Sequence, residues 1–153
     1  MAGRAGRLIE RRSAFWDASA LVPLCVRQSS SPQLAALYNT YGMTVWWATP
    51  IEMAGAFARL ARMKLLAASD RAKAVVVAAA LADAWMVIRP LDNVRANAME
   101  LVARYDLRAG DAFQLAAALE WCQGVPAGRI FLTADRKLRE AAQLNGFDAP
   151  PIN

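Results

Sequence analysis

The sequence predicts an α/β fold with three layers, α/β/α, in which helices cover both faces of a central, mainly parallel sheet. Short apolar segments with strand character alternate with helical segments along the whole chain, which is typical of parallel sheets. Each strand is short and mainly apolar, as expected when both faces of a sheet are buried. The 153 residues, of which 57% are hydrophobic, suffice for a sizeable core and exclude a disordered chain.

The first half of the chain contains two predicted strands, and each is followed by helices. The β-branched and aromatic segment Thr44-Val-Trp-Trp-Ala predicts the second of these strands. The segment Thr49-Pro50-Ile51-Glu52 predicts a capping box with proline at the first helical position. In chain order the predicted elements are a strand over 13–16, helices over 18–26 and 33–41, a strand over 44–48, and a helix from Thr49 to about Leu66.

The second half alternates helices with strands and ends on a short edge strand. Serine, proline and aspartate residues mark the starts of its helices, and the Asn145-Gly146 pair ends the last one. The predicted elements are a helix from Ser69-Asp70 to about Trp85, a buried strand over 86–88, a helix from Pro90 and Asp92 to about Tyr105, a helix over 112–122 opened by Gly110-Asp111, a strand over 129–133, a helix over 135–144, and an edge strand over 147–152.

The chain contains no internal repeat and no long linker, so residues 13–153 are expected to form a single domain. Residues 1–12 carry four arginines against one glutamate, which predicts a flexible basic extension. The whole chain has a net charge of +5, and this excess favours polyanionic partners. No secretory signal follows the basic start, and the longest apolar run, residues 74–82, is far shorter than the roughly 20 residues that cross a bilayer. We therefore expect a cytoplasmic protein without membrane association.

The residue types present limit the chemistry that the protein can perform. The sequence has no histidine, which excludes every zinc site, haem ligand or catalytic triad that requires imidazole. Its two cysteines, Cys25 and Cys122, are too few for a disulfide scaffold. Any metal site must therefore use oxygen ligands.

Four acidic residues fall where predicted strands end and helices begin, namely Asp17, Glu52, Asp111 and Asp135. Each one alone is as well explained by helix capping, which favours acids at helix starts. Asp111, however, shares a helical stripe with Leu115 and Ala118 and so points towards the packed side. Acids that converge at one sheet edge repel one another unless a cation is present, and Mg²⁺ or Mn²⁺ suits oxygen ligands. Such a cluster predicts metal-dependent phosphodiester cleavage.

The four acids stand in segments that resemble the motifs of PIN-domain ribonucleases, most closely the VapC-type toxins of bacterial toxin–antitoxin pairs. The order of the acids agrees with that family, and the resemblance covers about residues 13 to 150. The segments that carry it are Asp17-Ala-Ser-Ala-Leu-Val, Pro50-Ile-Glu52, Leu107-Arg-Ala-Gly-Asp111-Ala-Phe-Gln-Leu-Ala and Leu132-Thr-Ala-Asp135-Arg-Lys-Leu.

The resemblance implies an endoribonuclease that depends on Mg²⁺ or Mn²⁺, is inhibited by a cognate antitoxin protein and forms a homodimer. It implies Asp17 and Asp111 as direct metal ligands, with Glu52 and Asp135 acting directly or through water. It also implies supporting hydroxyls, which here are Ser19 and Thr133. The chain departs from the pattern at Gln114, where many relatives carry histidine.

Basic residues near the acids are candidates for guiding an RNA backbone, although a solvated helix face explains them as well. These candidates are Arg136, Lys137, Arg59 and Arg62. Trp46 and Trp47, on successive strand positions, must point to opposite faces, so at least one belongs to the core.

Two other functions remain open. In one, the same fold is a non-catalytic module that binds an antitoxin or RNA, with the acids serving as helix caps. In the other, it is a phosphatase or phosphotransferase, which the absence of an Asp-x-Asp pair after the first strand disfavours.

Overall fold

Four parallel strands form a central sheet in the computed structural model, which describes residues 12–26 and 31–152. In chain order they are β1 (Arg12–Trp16), β2 (Tyr41–Trp46), β3 (Met86–Ile88) and β4 (Ile130–Leu132). Across the sheet the order is β3-β2-β1-β4, and every pairing is parallel. Most of the predicted basic extension lies outside the described residues, and Arg12 is the first residue of β1.

Helices cover both faces of the sheet, which confirms the predicted α/β/α layers. They are α1 (Ala18–Cys25), α2 (Pro32–Thr40), α3 (Thr49–Arg62), α4 (Ala68–Ala82), α5 (Asp92–Arg104), α6 (Ala109–Trp121) and α7 (Arg136–Leu144). Helices α5 to α7 pack with Phe15 and Phe131 in one core, whereas α1 to α4 pack with Ala14 and Trp16 in the other. Successive residues of β1 thus enter opposite cores, as side-chain alternation in a strand requires.

The strand boundaries differ from the sequence prediction where pairing decides them. Strand β2 begins at Tyr41, three residues earlier than predicted, because its first residues pair with Arg12 to Phe15 of β1. Strand β3 has the predicted bounds but lies at the sheet edge, so Met86 is exposed and not buried. The predicted strand over 147–152 is wrong: the described chain there forms a single bridge, between Asp148 and Ile130, and two prolines that lack an N–H follow.

The predicted capping box at the start of α3 is also wrong. Thr49 lies within the helix, and among the described residues no side chain caps this helix. The Thr49 hydroxyl is fully buried and instead accepts a hydrogen bond from Gln114, 65 residues later in the chain. The helix ends at Arg62, four residues before the predicted end, and Lys64 just beyond it adopts a left-handed backbone with φ of 57°.

Helix α4 begins at Ala68 with no side-chain cap from the described residues, whereas Ser69 and Asp70 were predicted to cap it. It ends at Ala82, three residues before the predicted end. None of the helices in the described part of the chain is long and apolar enough to cross a membrane.

Candidate active site

The four predicted acids lie where strands end and helices begin. Asp17 directly follows β1 and Asp135 follows β4, while Glu52 and Asp111 lie in the first turns of α3 and α6. Because the carboxyl ends of parallel strands meet at one edge of a sheet, ligand sites form at that edge. A hydrogen bond of 2.9 Å from the Asp17 backbone N–H to the Leu132 carbonyl joins the ends of β1 and β4.

Asp17 is buried and held by two hydroxyl groups. Its Oδ2 accepts a hydrogen bond of 2.5 Å from Ser19 Oγ and one of 2.8 Å from Thr133 Oγ1. Burial raises the pKa of Asp17, and the hydrogen bonds from Ser19 and Thr133 oppose that rise. The structure thus places both predicted supporting hydroxyls on the carboxylate of the first acid.

Glu52 is held by Gln114, the residue at which the chain departs from the family pattern. The fully buried Gln114 side chain donates from Nε2 to Glu52 Oε2 at 3.0 Å and to Thr49 Oγ1 at 3.3 Å. The pKa of Glu52 is raised to about 7, chiefly by burial and also by the charges of Asp17 and Asp111, while the hydrogen bond from Gln114 opposes the rise. Gln114 Oε1 is buried and has no hydrogen-bond partner among the described residues.

Asp111 and Asp135 form the more open part of the site. Burial and the negative charges of Asp17 and Asp135 raise the pKa of Asp111 to about 6, and the nearby Arg108 guanidinium opposes that rise. Asp135 is the N-cap of α7, where its Oδ1 accepts a hydrogen bond of 2.8 Å from the Leu138 backbone N–H. The charge of Asp17 thus acts on both Glu52 and Asp111, and the charge of Asp135 acts on Asp111.

A cleft of about 330 Å³ opens over Asp111 and Asp135, and its walls mix both signs of charge. The residues that line it are Asp106, Leu107, Arg108, Asp111, Asp135, Arg136 and Lys137. Lys137 Nζ donates to the exposed Asp106 carboxylate and so lowers the pKa of Asp106. Two of the predicted RNA-binding cations, Arg136 and Lys137, therefore lie at the cleft.

The structure does not bring all the predicted cations to this cleft, and it adds one. Arg59 and Arg62 lie in the last turn of α3, about 10 and 15 Å along the helix from Glu52, and do not line the cleft. Arg108, which the sequence reasoning missed, lines it immediately before α6. Its position in the sequence could have indicated this role, because Arg108 lies three residues before Asp111 in the segment that resembles PIN-domain ribonucleases.

The donor set of the site suits a hard divalent cation. Its four acids supply oxygen ligands alone, which Mg²⁺ and Mn²⁺ prefer, and a cation would offset the two causes that raise the pKa values of Glu52 and Asp111, namely burial and the repulsion between acids. Within residues 12–26 and 31–152, however, no three His, Cys, Asp or Glu side chains are arranged to hold a metal ion. The oxygen ligands therefore suit Mg²⁺ or Mn²⁺, but the acidic side chains as arranged do not by themselves surround such an ion.

Comparisons with known proteins show similarity in fold. No protein-family profile and no curated protein sequence matches the chain. The solved protein PAE2754 from Pyrobaculum aerophilum matches with a TM-score of 0.59 and 23% identity, over 90% of this chain and 89% of that one. A chain of a toxin–antitoxin complex from Klebsiella pneumoniae matches with a TM-score of 0.55 and 16% identity, over 82% and 88%. With its parallel four-stranded sheet between two helical layers, the described chain has a PIN-like α/β/α fold.

Proposed function

We propose that this protein is a metal-dependent endoribonuclease that acts as the toxin of a toxin–antitoxin pair. The observation that carries the proposal is the placement of four acids where parallel strands end and helices begin, and there burial and the charges of neighbouring acids raise the pKa values of Glu52 and Asp111. Cations that suit phosphate line the same cleft. The toxin role is supported by the similarity in fold to a chain of the Klebsiella pneumoniae toxin–antitoxin complex.

In this proposal Asp17 and Asp111 hold Mg²⁺ or Mn²⁺, and Glu52 and Asp135 act directly or through water. When bound, the ion lowers the pKa of a water molecule and stabilises charge on the attacking and leaving oxygens of the phosphodiester. The proposed partners are RNA as the substrate, a cognate antitoxin protein and a second copy of the chain, and the proposed location is the cytoplasm.

Other residues of the chain orient the acids and offset the charge of the substrate. Ser19 and Thr133 fix one oxygen of Asp17, and Gln114 fixes one oxygen of Glu52. Arg108, Arg136 and Lys137 line the cleft and would reduce the negative charge that a scissile phosphate brings to it. The site thus combines hydrogen-bonded carboxylates with cations at the entrance.

Cleavage of total and structured RNA by the purified protein in Mg²⁺, Mn²⁺ or EDTA tests the activity. We expect cleavage in either metal and none in EDTA. In Asp17→Asn the rate should fall about 100-fold or more, because one charged ligand is lost. The asparagine keeps an oxygen that accepts hydrogen bonds from Ser19 and Thr133, so the fold should survive.

The matched control is Asp83→Asn, which removes the same charge from an exposed residue after α4, at the opposite edge of the sheet. Its cleavage rate should equal that of the unchanged protein. Full activity of Asp17→Asn, or cleavage that persists in EDTA, would refute the assignment of the acids.

The alternative, a non-catalytic module that binds an antitoxin or RNA, is favoured by one observation. Asp17 and Asp135 both cap helices, accepting hydrogen bonds from the backbone N–H groups of Ser19 and Leu138. A melting experiment separates the two functions, because millimolar Mn²⁺ stabilises a folded chain that binds it. A raised Tm supports the metal site, and an unchanged Tm together with absent cleavage supports the binding module.

A further inference from the structure

A second pocket, of about 280 Å³, lies at the same sheet edge beyond Glu52, where β2 and β3 end. Its lining includes Trp46, Trp47, Pro90, Leu91, Arg95 and Phe113. The volume is near the lower end of the range for small-ligand sites, about 300 Å³, which suits one planar group better than a large cofactor. We call it the aromatic pocket.

The aromatic pocket combines a rigid wall with one exposed ring. Trp46 is buried and stacks on Phe113, with ring centroids 5.4 Å apart and planes inclined by 9°. Trp47 is 53% exposed, although its backbone N–H is fixed by a hydrogen bond of 3.0 Å to the Ile88 carbonyl. Leu91, which also lines the pocket, is 49% exposed, so apolar surface is exposed here as a patch and not singly, which is typical of an interaction site.

The aromatic pocket is joined directly to the acidic site. Ala48 lines the pocket, and its carbonyl accepts a hydrogen bond of 3.2 Å from the Glu52 backbone N–H. On the other side Phe113 immediately precedes Gln114, whose amide donates to the Glu52 carboxylate. A polymer whose phosphate lies at the acids would therefore bring its next planar group to this pocket.

A cation stands at the rim of the aromatic pocket. The Arg95 side chain is 68% exposed and pairs with the still more exposed Asp92 at 3.2 Å. An ion pair as exposed as this one contributes little to stability, so the guanidinium can exchange its partner for a phosphate. Aromatic rings beside a cation that can contact a phosphate are a combination with which proteins bind single-stranded nucleic acids.

We propose that the aromatic pocket is a subsite for one unpaired base of single-stranded RNA, which stacks on Trp47 next to the scissile phosphate. The proposal rests on the proposed ribonuclease function and extends it by naming the position at which a base is bound. Arg95 contacts the phosphate on the far side of that base.

The test measures binding of a fluorescent hexaadenylate RNA to the full chain carrying Asp17→Asn, so that the probe is not cut. Adding Trp47→Ala should weaken binding about tenfold, since stacking of one base contributes about 1 to 3 kcal/mol. Trp47→Phe should restore most of the affinity. The matched control is Tyr38→Ala, which removes another exposed aromatic side chain, on α2, and should leave the dissociation constant unchanged.

Hexamers with an abasic site at each position in turn identify the stacked base. At one position the abasic probe should bind more weakly to the protein with Trp47, and equally well to the Trp47→Ala variant. An unchanged dissociation constant in Trp47→Ala would overturn the subsite and leave the pocket to a protein partner.

The outcomes also separate this inference from the proposed nuclease. If the protein that retains Asp17 cuts no RNA in any metal but binds the hexamer through Trp47, the subsite is supported and the nuclease is not. If it cuts RNA, and Trp47→Ala changes neither the KM for cleavage nor the dissociation constant, the subsite is refuted while the nuclease stands.

Discussion

The two halves of the candidate site are held in place by different means. In the closed half, Asp17 and Glu52 accept hydrogen bonds from neutral side chains of Ser19, Thr133 and Gln114. The open half, Asp111 and Asp135, faces a cleft whose cations are Arg108, Arg136 and Lys137. Neutral donors orient a carboxylate without cancelling its charge, whereas exposed cations reduce the charge but can change partners. The comparison shows that neutral side-chain donors are confined to the closed half and cations to the open half, where Asp135 is oriented by the Leu138 backbone N–H.

The largest effect on stability is expected in the closed half, at Thr133. Thr133→Val keeps the shape of the side chain but removes a donor to the buried Asp17 carboxylate. Hydrogen bonds to charged groups contribute about 1.5 to 3 kcal/mol, so the free energy of unfolding should fall by about 2 kcal/mol. Urea denaturation in EDTA measures the change.

Thr44→Val provides the matched control for that substitution. Thr44 is also fully buried, but its hydroxyl has no hydrogen-bond partner within the described part of the chain. Replacing it should leave the protein equally stable or make it more stable, because a buried hydroxyl without a partner is costly. If both variants lost the same free energy of unfolding, the loss at Thr133 could not be assigned to its hydrogen bond with Asp17.

A smaller effect is expected from the charge of Glu52, and it depends on pH. The pKa of Glu52 is about 7 in the folded protein against an ordinary value of 4.5. Between these values the unfolded chain releases a proton that the folded chain retains, so stability falls as the pH rises through this range. In EDTA at pH 8, the free energy of unfolding of Glu52→Gln should therefore exceed that of the unchanged protein by about 1 kcal/mol, a modest effect because solvent screens the partly exposed carboxylate. At pH 4 the two proteins should be equally stable.

Urea denaturation of both proteins at the two pH values checks this expectation. The glutamine preserves an oxygen that accepts the hydrogen bond from Gln114, so packing around it should be conserved. A stability difference that is the same at pH 4 and pH 8 would show that its origin lies in packing and not in charge.

The smallest effect is expected in the open half, where single cations meet solvent. Arg136→Ala should weaken RNA binding about threefold and reduce the slope of log affinity against log salt by about 1. Arg62→Ala, at the far end of α3, should leave both quantities unchanged. Titrations of labelled RNA at several salt concentrations compare the two. Equal losses would show that the RNA backbone also follows α3, as the sequence analysis proposed.

Local signals in the sequence were sufficient to predict much of this molecule. The alternation of apolar strands and helices predicted the layers and the parallel sheet, since the periodicity of strands and helices depends on residues that are close together in the sequence. The order of the acids at strand ends predicted that Asp17, Glu52, Asp111 and Asp135 share one edge. Helix capping was also a correct reading of Asp17 and Asp135, since both accept hydrogen bonds from the backbone N–H groups of the helices that they precede.

Predictions failed where a distant partner decides the structure. Thr49 resembles a capping residue, yet its hydroxyl is bonded to Gln114, and nothing within a turn of helix indicates that contact. Strand β2 begins at Tyr41 because Tyr41 pairs with Arg12 of β1, and local propensity does not specify that register. The position of Arg108 at the cleft depends in the same way on how α6 and α7 are placed.

The sequence by itself determined the α/β class, the order in which strands and helices follow one another, and which four acids lie where strands end and helices begin. The tertiary structure decided which neutral side chains hold those acids, which cations face them, and that Trp47 stands exposed in an aromatic pocket. The reason is physical: periodicity and capping act between residues a few positions apart, whereas burial, pKa shifts and hydrogen bonds between side chains depend on elements that meet only when the sheet and its helices pack.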